Sequence, residues 1–548
     1  MKLTRCVALA AVAGMASSAM AGPPTFVLTG QLGSDLSADG TTAVGATYDP
    51  VLGGQIVAAY KLGFGETRTG FAQDNDALRC SADGSVLAYT AYDLENVSGL
   101  GTTKLTPHVW TASTGETNYG ISPWTQSCDA YTNSVGDLSG NGRYIIGGTY
   151  TVSTCGPFRG FRFDIQTNTW ELLPTISGSR SSSATAVNSD GTVICGRDEV
   201  NPGQAQIVRN AVVWVKSGGT WTRTVLDPAG GSANAVSADG TAVVGTMSEA
   251  TMYATFGIYD TLPIMWVRSG ANWIPQVLGG DLTMVPLAVS ADGSTVVGRG
   301  GDDDSGFIWR QSINGGVPMT LNAYVAQNLG VLPEEFTINA YIGSPVRALS
   351  DDGNSILVSL RDSRNPCLIW FPGAILDLDG GACEPARISR SPVSHYNPAG
   401  PAAEPFGMVF NCFITGSLDM DIRWQKESEP GSNVWVDLED DNCGDYLPEY
   451  YNVRGTQTMQ LRLGALDNTW AGRYRCVVTN DCGTETSRAF RVSTCLADLS
   501  CDQVVDLTDY FQFFNAFDQT TMEADMNDDG EVDLNDFFAF LNAFDTGC

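Results

Sequence analysis

The sequence predicts a mainly β chain in three parts: a seven-bladed β-propeller, then a β-sandwich, then a small α-helical module. Three observations carry this. One turn motif recurs seven times between residues 36 and 360. A Cys…Trp…Tyr-x-Cys pattern follows, from Cys412 to Cys476. Two copies of a twelve-residue acidic loop, each leading into an aromatic run, close the chain.

The N-terminus comes first. Lys2 and Arg5 precede a short apolar run from Val7 to Met15, and Ala19-Met20-Ala21 has the small-x-small form of a cleavage site. Residues 1–21 are therefore assigned to a secretory signal. No later stretch has the 18 or more uninterrupted apolar residues of a spanning helix, so no membrane span is expected and the mature chain is placed outside the cytoplasm, secreted or at the cell surface. The 527 residues after the signal are too many for one ordinary domain. They carry 28 basic against 61 acidic residues, a net charge of −33. Such a surface repels nucleic acid and anionic lipid and attracts cations. Export favours disulfides. Thirteen cysteines follow the signal, and the odd number leaves at least one thiol unpaired or intermolecular. No CxxC pair occurs and the only histidines are His108 and His395, which argues against a zinc site.

The repeat assigns residues 22–380 to the propeller. It reads LSADGTTAVG from Leu36, CSADGSVLAY from Cys80, LSGNGRYIIG from Leu138, VNSDGTVICG from Val187, VSADGTAVVG from Val236, VSADGSTVVG from Val289 and LSDDGNSILV from Leu349. The residue before the glycine is Asp39, Asp83, Asn141, Asp190, Asp239, Asp292 or Asp352, at spacings of 44 to 60 residues. Each spacing suits a small sheet and is too short for a domain. Asp-Gly and Asn-Gly form tight turns because glycine tolerates positive φ, and the valines and isoleucines that follow favour strands. A second mark, an apolar strand ending in an aromatic, follows each turn at Tyr60, Trp110, Phe163, Trp214, Trp266, Trp309 and Trp370. Seven equal units in unbroken series fit radial closure, which protects sheet edges, better than paired sandwiches. The turn plus Trp-ended strand resembles the bacterial extracellular HAF repeat, a likeness that implies a repeat type and no activity.

The turn aspartates are read as structural, since one residue type recurs at one turn position seven times. Asp302-Asp303-Asp304 reads as a solvated loop. Glu334-Glu335 could suggest acid–base chemistry, but adjacent residues of a strand point to opposite faces and glycosidases need a defined separation across a cleft.

Residues 383–494 change pattern. Cys412 lies in an alternating strand, Trp424 follows 12 residues later, and Tyr474 stands two before Cys476. This resembles the immunoglobulin signature. The resemblance implies a Cys412–Cys476 bridge between two sheets, Trp424 packed on it, and Tyr474 as a tyrosine corner. Cys383 and Cys443 are both open as partners for Cys482. The domain is read as a spacer.

Residues 495–548 hold the acidic loops, Asp498–Asp509 and Asp525–Asp536, 27 residues apart. Oxygen-bearing side chains fall at positions 1, 3, 5, 9 and 12 of each, the spacing that wraps one loop around a hard cation such as calcium. Phe511, Phe514 and Phe517, and again Phe538, Leu541 and Phe544, have helical spacing, so each unit is loop then helix, half of an EF-hand. A duplicated loop–helix of this length resembles a dockerin, of the GC-type variant by its Cys495 start and Gly547-Cys548 end. By position, the resemblance gives the first site Asp498, Ser500, Asp502, the Val504 carbonyl, Asp506 and Asp509. It gives the second Asp525, Asn527, Asp529, the Glu531 carbonyl, Asp533 and Asp536. Gln503 replaces the bend glycine in the first loop, so the second site is expected to bind calcium more strongly. Cys495 is expected to pair with Cys548, leaving Cys501 as the unpaired thiol.

These readings point to an exported, non-enzymatic scaffold or binding protein. A calcium-stabilised C-terminal module would attach it to a cohesin-like or cell-surface receptor, and the propeller would offer a face to a carbohydrate or protein ligand. The alternative is a secreted polysaccharide-active hydrolase with its active site on the propeller. No nucleophile motif, histidine cluster or isolated carboxylate pair speaks for the alternative.

Overall fold

The computed structural model describes residues 25–546 apart from 30–31, 50–53, 63–64, 72–77, 94–103, 125–132, 151–156, 177–178, 201–207, 258–261, 281–282, 313–315, 329–335, 339–343, 363–372, 380–382, 393–394, 397–407, 419, 441–452, 464–469, 494, 503 and 527–531. The signal segment, Glu334, Glu335, Trp370, Cys443 and Cys548 lie outside the described residues.

The chain is mainly β, divided among several small sheets. From Leu32 to Thr320 six four-stranded antiparallel sheets succeed one another, each laid down in chain order. The first is Leu32–Leu36, Thr42–Asp49, Gly54–Lys61 and Gly65–Phe71. A seventh unit holds Val346–Leu349, Ser355–Asp362 and Gly373–Asp377. Its fourth strand comes from the other end of the chain. Thr25–Leu28 pairs with Gly373–Asp377, Phe26 opposite Leu376.

The six Asp-Gly turns and the Asn141-Gly142 turn share one construction. In six of them a serine hydroxyl donates to the carboxylate or amide oxygen two residues on, at 2.6–2.8 Å, as Ser37 does to Asp39 and Ser139 to Asn141. The same hydroxyl accepts the N–H that opens the next strand, at 2.8–3.0 Å. Asn188 replaces serine in the fourth unit, where its side-chain oxygen accepts the Val193 N–H at 2.8 Å. A short polar side chain thus satisfies two backbone-directed demands at once, which is why these residues favour turns. The aspartates serve the turn.

The turns also bond to one another. The Ala38 N–H donates to the Ala82 carbonyl, Ala82 to Gly140, Asn141 to Ser189, and Ser189 to Ala238, all at 2.8–3.0 Å. Ala291 donates to Asp351, and Asp351 of the seventh unit donates to Ala38 of the first at 2.8 Å. The turn glycines make this approach possible. A Cβ on Gly142 (φ +67°) would strike Val86 of the preceding unit, and one on Gly40 would strike Ser355 of the seventh. The first strands of the seven units line one cavity of about 610 Å³.

The aromatic mark falls on the third strand of the first six units, opposite the second strand's apolar start. Tyr60 pairs with Ala43, Trp110 with Leu87, Phe163 with Ile145, Trp214 with Ile194, Trp266 with Val243 and Trp309 with Val296. Tyr60, Phe163, Trp214, Trp266 and Trp309 are buried, and four of them, all but Tyr60, cover the interface with the preceding sheet. Burying each such ring is worth roughly 1.5–3 kcal/mol.

Past Asp377 the seventh sheet runs on into the next part of the chain. Thr25–Leu28 pairs on its free edge with Phe413–Ser417, which pairs with Arg387–Arg390. A second sheet joins Asp421–Glu427, Gly472–Asn480 and Phe490–Ser493, and a third joins Met408–Asn411, Gln460–Leu463 and Val453–Arg454. Trp424 is buried between them and donates its indole N–H to the Thr458 carbonyl at 2.8 Å. The buried Tyr474 hydroxyl donates to the Trp470 carbonyl at 2.7 Å. Cys482 is bridged to Cys383, Cα atoms 6.1 Å apart, which decides between the two open partners. The two cysteines expected to bridge the sheets, Cys412 and Cys476, are both buried and lie side by side, and the structure carries them as thiols.

Gly142→Ala is expected to cost more than the 1–2 kcal/mol or so of a forced left-handed residue, because its Cβ meets Val86. Gly270→Ala, also at positive φ but facing open space, should cost only the backbone term, and thermal melts of the two variants check this. Acid is expected to act on the turns. The Ser81 hydroxyl and then the Ser85 N–H hold Asp83 low, and the Ser294 N–H holds Asp292 low. A depressed carboxyl contributes stability that is complete above its unfolded value and lost as pH falls through the folded one. Tryptophan fluorescence should therefore show this loss only below about pH 4, and to a smaller extent in an Asp83→Asn, Asp292→Asn double variant.

Candidate functional site

The C-terminal segment is the region where sequence places the most chemistry. Two helices form it, Leu507–Asp518 and Leu534–Thr546. Asp506 caps the first: its Oδ1 accepts the Thr508 N–H at 2.6 Å, and Asp509 Oδ2 accepts the Asp506 N–H at 2.9 Å. Asp536 Oδ2 accepts the Asp533 N–H at 2.8 Å in the same relation. Each twelve-residue loop therefore ends inside the first turn of its own helix, where carboxylates complement the exposed N–H groups.

The predicted ligands of the first loop are partly brought together. Asp498 and Asp509 are buried and meet at Ser500. The Ser500 hydroxyl donates to Asp498 Oδ1 at 3.3 Å, and its N–H donates to Asp509 Oδ1 at 2.8 Å. Asp498 Oδ1 also accepts the Asp502 N–H at 3.1 Å, which bends the loop around that carboxylate. Asp502, Val504 and Asp506 are exposed. In the second loop Asp525 and Asp536 are buried, and Asp536 Oδ1 accepts the Met526 N–H at 2.7 Å, while Asp533 is exposed. Asn527, Asp529 and Glu531 lie outside the described residues, as do Gln503 and Gly530. Among the described residues no three acidic, histidine or cysteine side chains form a metal-holding group. The donor set is nonetheless all oxygen, and two buried carboxylates around one serine fit a hard cation in kind.

Between the helices lies an aromatic core. Phe513 and Phe540 stack with ring centroids 4.1 Å apart, over Ala497, Leu499, Ala516, Ala524 and Met526. The stripe read from spacing splits. Phe517, Leu541 and Phe544 pack against this core, but Phe511 and Phe538 are 60% and 59% exposed, with Phe514, Leu507 and Leu534 exposed beside them. Leu507 and Leu534, and Phe511 and Phe538, are equivalent positions 27 residues apart. The duplication thus doubles an outward apolar ridge as well as an inward core. Spacing alone could not separate the two, because both faces are aromatic.

The module rests on the preceding β part, where Arg473 pairs with Glu523 at 3.1 Å. Cys495 is disulfide-bonded, and Cys548, its expected partner, lies outside the described residues. Cys501 is a buried thiol, pushed up to about 11 by burial, as expected of the unpaired cysteine, though Cys80 and Cys195 are also thiols.

No protein-family model matches the chain, and no curated protein matches it. Among solved structures it is similar to a TolB protein from Agrobacterium tumefaciens, at 14% identity, 48% of this chain, 93% of that one and a TM-score of 0.29. It is also similar to the Ig1-2 module of the Drosophila receptor protein tyrosine phosphatase DLAR, at 16% identity, 36% of this chain, 87% of that one and a TM-score of 0.15. No helix among the described residues is long and apolar enough to cross a membrane.

Phe513→Ala is expected to cost about 3–5 kcal/mol and to loosen the module. Phe511→Ser should leave its stability within about 0.5 kcal/mol. Hydrogen exchange of residues 495–546 in the whole protein distinguishes the two.

Proposed function

We propose that this is an exported, non-enzymatic scaffold or binding protein held at its site of action by a calcium-stabilised C-terminal module. The observation that carries the reading is the duplicated ridge of Leu507, Phe511, Leu534 and Phe538, left exposed by a module that already has an aromatic core. Contiguous exposed apolar surface marks interaction sites, and here each half of it sits on a helix led by an acidic loop. The module is read as dockerin-like. Calcium would be held by Asp498, Ser500, Asp502, the Val504 carbonyl, Asp506 and Asp509 in the first loop. The second, stronger site would use Asp525, Asn527, Asp529, the Glu531 carbonyl, Asp533 and Asp536. Bound calcium neutralises the clustered carboxylates, so binding is coupled to folding of the module.

The seven units are read as a seven-bladed β-propeller of the HAF-repeat kind. Support comes from the bond between the seventh and first turns and from the N-terminal strand that completes the seventh unit. The following part is read as an immunoglobulin-like spacer, supported by the burial of Trp424 and the Tyr474 hydroxyl bond. The receptor is a cohesin-like domain or another cell-surface protein.

The test uses the full chain and cell envelopes of the producing organism. Binding in calcium is expected to fall by about tenfold or more in chelator and in a Phe511→Ser, Phe538→Ser variant whose calcium uptake is unchanged. Equal binding in all three conditions would sink the tether. Turnover of any member of a polysaccharide panel would replace this reading with the hydrolase.

A further inference from the structure

The seven units repeat their turns faithfully but not the position that faces the central cavity. Four residues before each turn Asp or Asn stand Asp35, Arg79 and Asp137 in the first three units, and Ala186, Ala235, Ala288 and Ala348 in the other four. All seven line the cavity. Core packing alone would fill the interior-facing positions of a closed ring with apolar side chains. Here three charged side chains project from one side, and four alanines hollow out the other.

The charged side is built. Asp35 Oδ2 accepts the Cys80 N–H at 2.9 Å, and Asp137 Oδ2 accepts the Val187 N–H at 2.9 Å, so each carboxylate is fixed by the neighbouring unit's strand. Arg79 lies between them, its Nε 3.8 Å from Asp137 Oδ1. Arg79 and Asp137 keep 26% and 21% of their side-chain surface open to the cavity. Burial pushes the Asp137 carboxyl up to about 7, Arg79 pulls it down, and Asp35 adds to the rise. Burial raises Asp35 as well, against Arg79. Two carboxylates thus share one guanidinium, and an added ammonium would relieve both.

The opposite charge stands nearer one mouth. Arg299 is in register with Val285, the first residue of the sixth unit's inner strand, and Arg347 sits one residue before the seventh unit's alanine. Both line the cavity. Among the described residues its lining includes no aromatic ring on which a sugar could stack. Its volume of about 610 Å³ falls within the range of small-ligand sites.

We propose that this cavity binds a small zwitterion, an amino acid or short peptide, with its amine at Asp35 and Asp137 and its carboxylate at Arg347 and Arg299. The proposal rests on the ring reading of the seven units and not on the calcium tether.

The test is titration calorimetry of the full chain with glycine, diglycine and triglycine, each also as its N-acetyl and C-amide form. At least one free form is expected to bind, and capping either of its ends should weaken it by about tenfold or more, the loss of one desolvated charge contact. Ala235→Leu and Ala288→Leu fill the hollow side without touching a charge, and each should abolish binding while the fold still melts cooperatively. Arg347→Met should weaken the free form and leave its C-amide unchanged. The carboxylates are left alone because Cys80 and Val187 depend on them. Binding should be equal in calcium and in chelator, so failure of the tether leaves this result standing. Absence of binding by every free form at millimolar concentration would overturn the site. So would equal binding of the capped forms, survival of binding in both leucine variants, or its loss in chelator.

Discussion

One hydrogen-bonded turn underlies the larger part of this protein. In it a serine hydroxyl donates to an aspartate and accepts from the next strand, so the chain reverses with its polar groups satisfied. The reversal leaves the turn's outer carbonyl and N–H free to meet the turn of the adjoining unit. Glycine keeps the approach close enough for that bond. The sheets therefore meet through their turns as well as their apolar faces. The aromatic on each third strand then has a fixed neighbour to cover.

Much of this was legible in the sequence because it is local. Asp-Gly with serine two residues earlier specifies its own turn, and a tryptophan ending an apolar strand specifies a buried position. What could not be read depends on residues far apart. Nothing near Thr25–Leu28 says that it pairs with Gly373–Asp377, since any short apolar strand could fill that edge. The choice of Cys383 over Cys443 for Cys482 depends on which backbone segment passes nearby, not on spacing. Cys412 and Cys476 were paired by resemblance, and the fold brings the two side by side in the core. In the C-terminal segment helical periodicity located the helices but not their inner face. Phe513 and Phe511 are equally apolar, and only the stack against Phe540 tells them apart.

Repetition leaves different marks in the two halves of the molecule. Among the seven units the turn is held constant while the cavity position drifts from charged to alanine. In the C-terminal pair the outward ridge and the loop carboxylates are both preserved at a 27-residue offset. A duplicated surface offers a receptor two equivalent halves. A broken symmetry offers a ligand one orientation.

The strand Thr25–Leu28 lies between two neighbours, Gly373–Asp377 on one edge and Phe413–Ser417 on the other. Those partners are separated from it by some 350 and 390 residues of chain. Thr25–Leu28, the first described segment, must therefore wait for both partners before it can settle. Late closure of this kind carries a large loop entropy and leaves sheet edges bare in the interim. The same four residues splice the repeat to the part that follows. A protease that trims the chain just past Leu28 would sever that joint while sparing every turn.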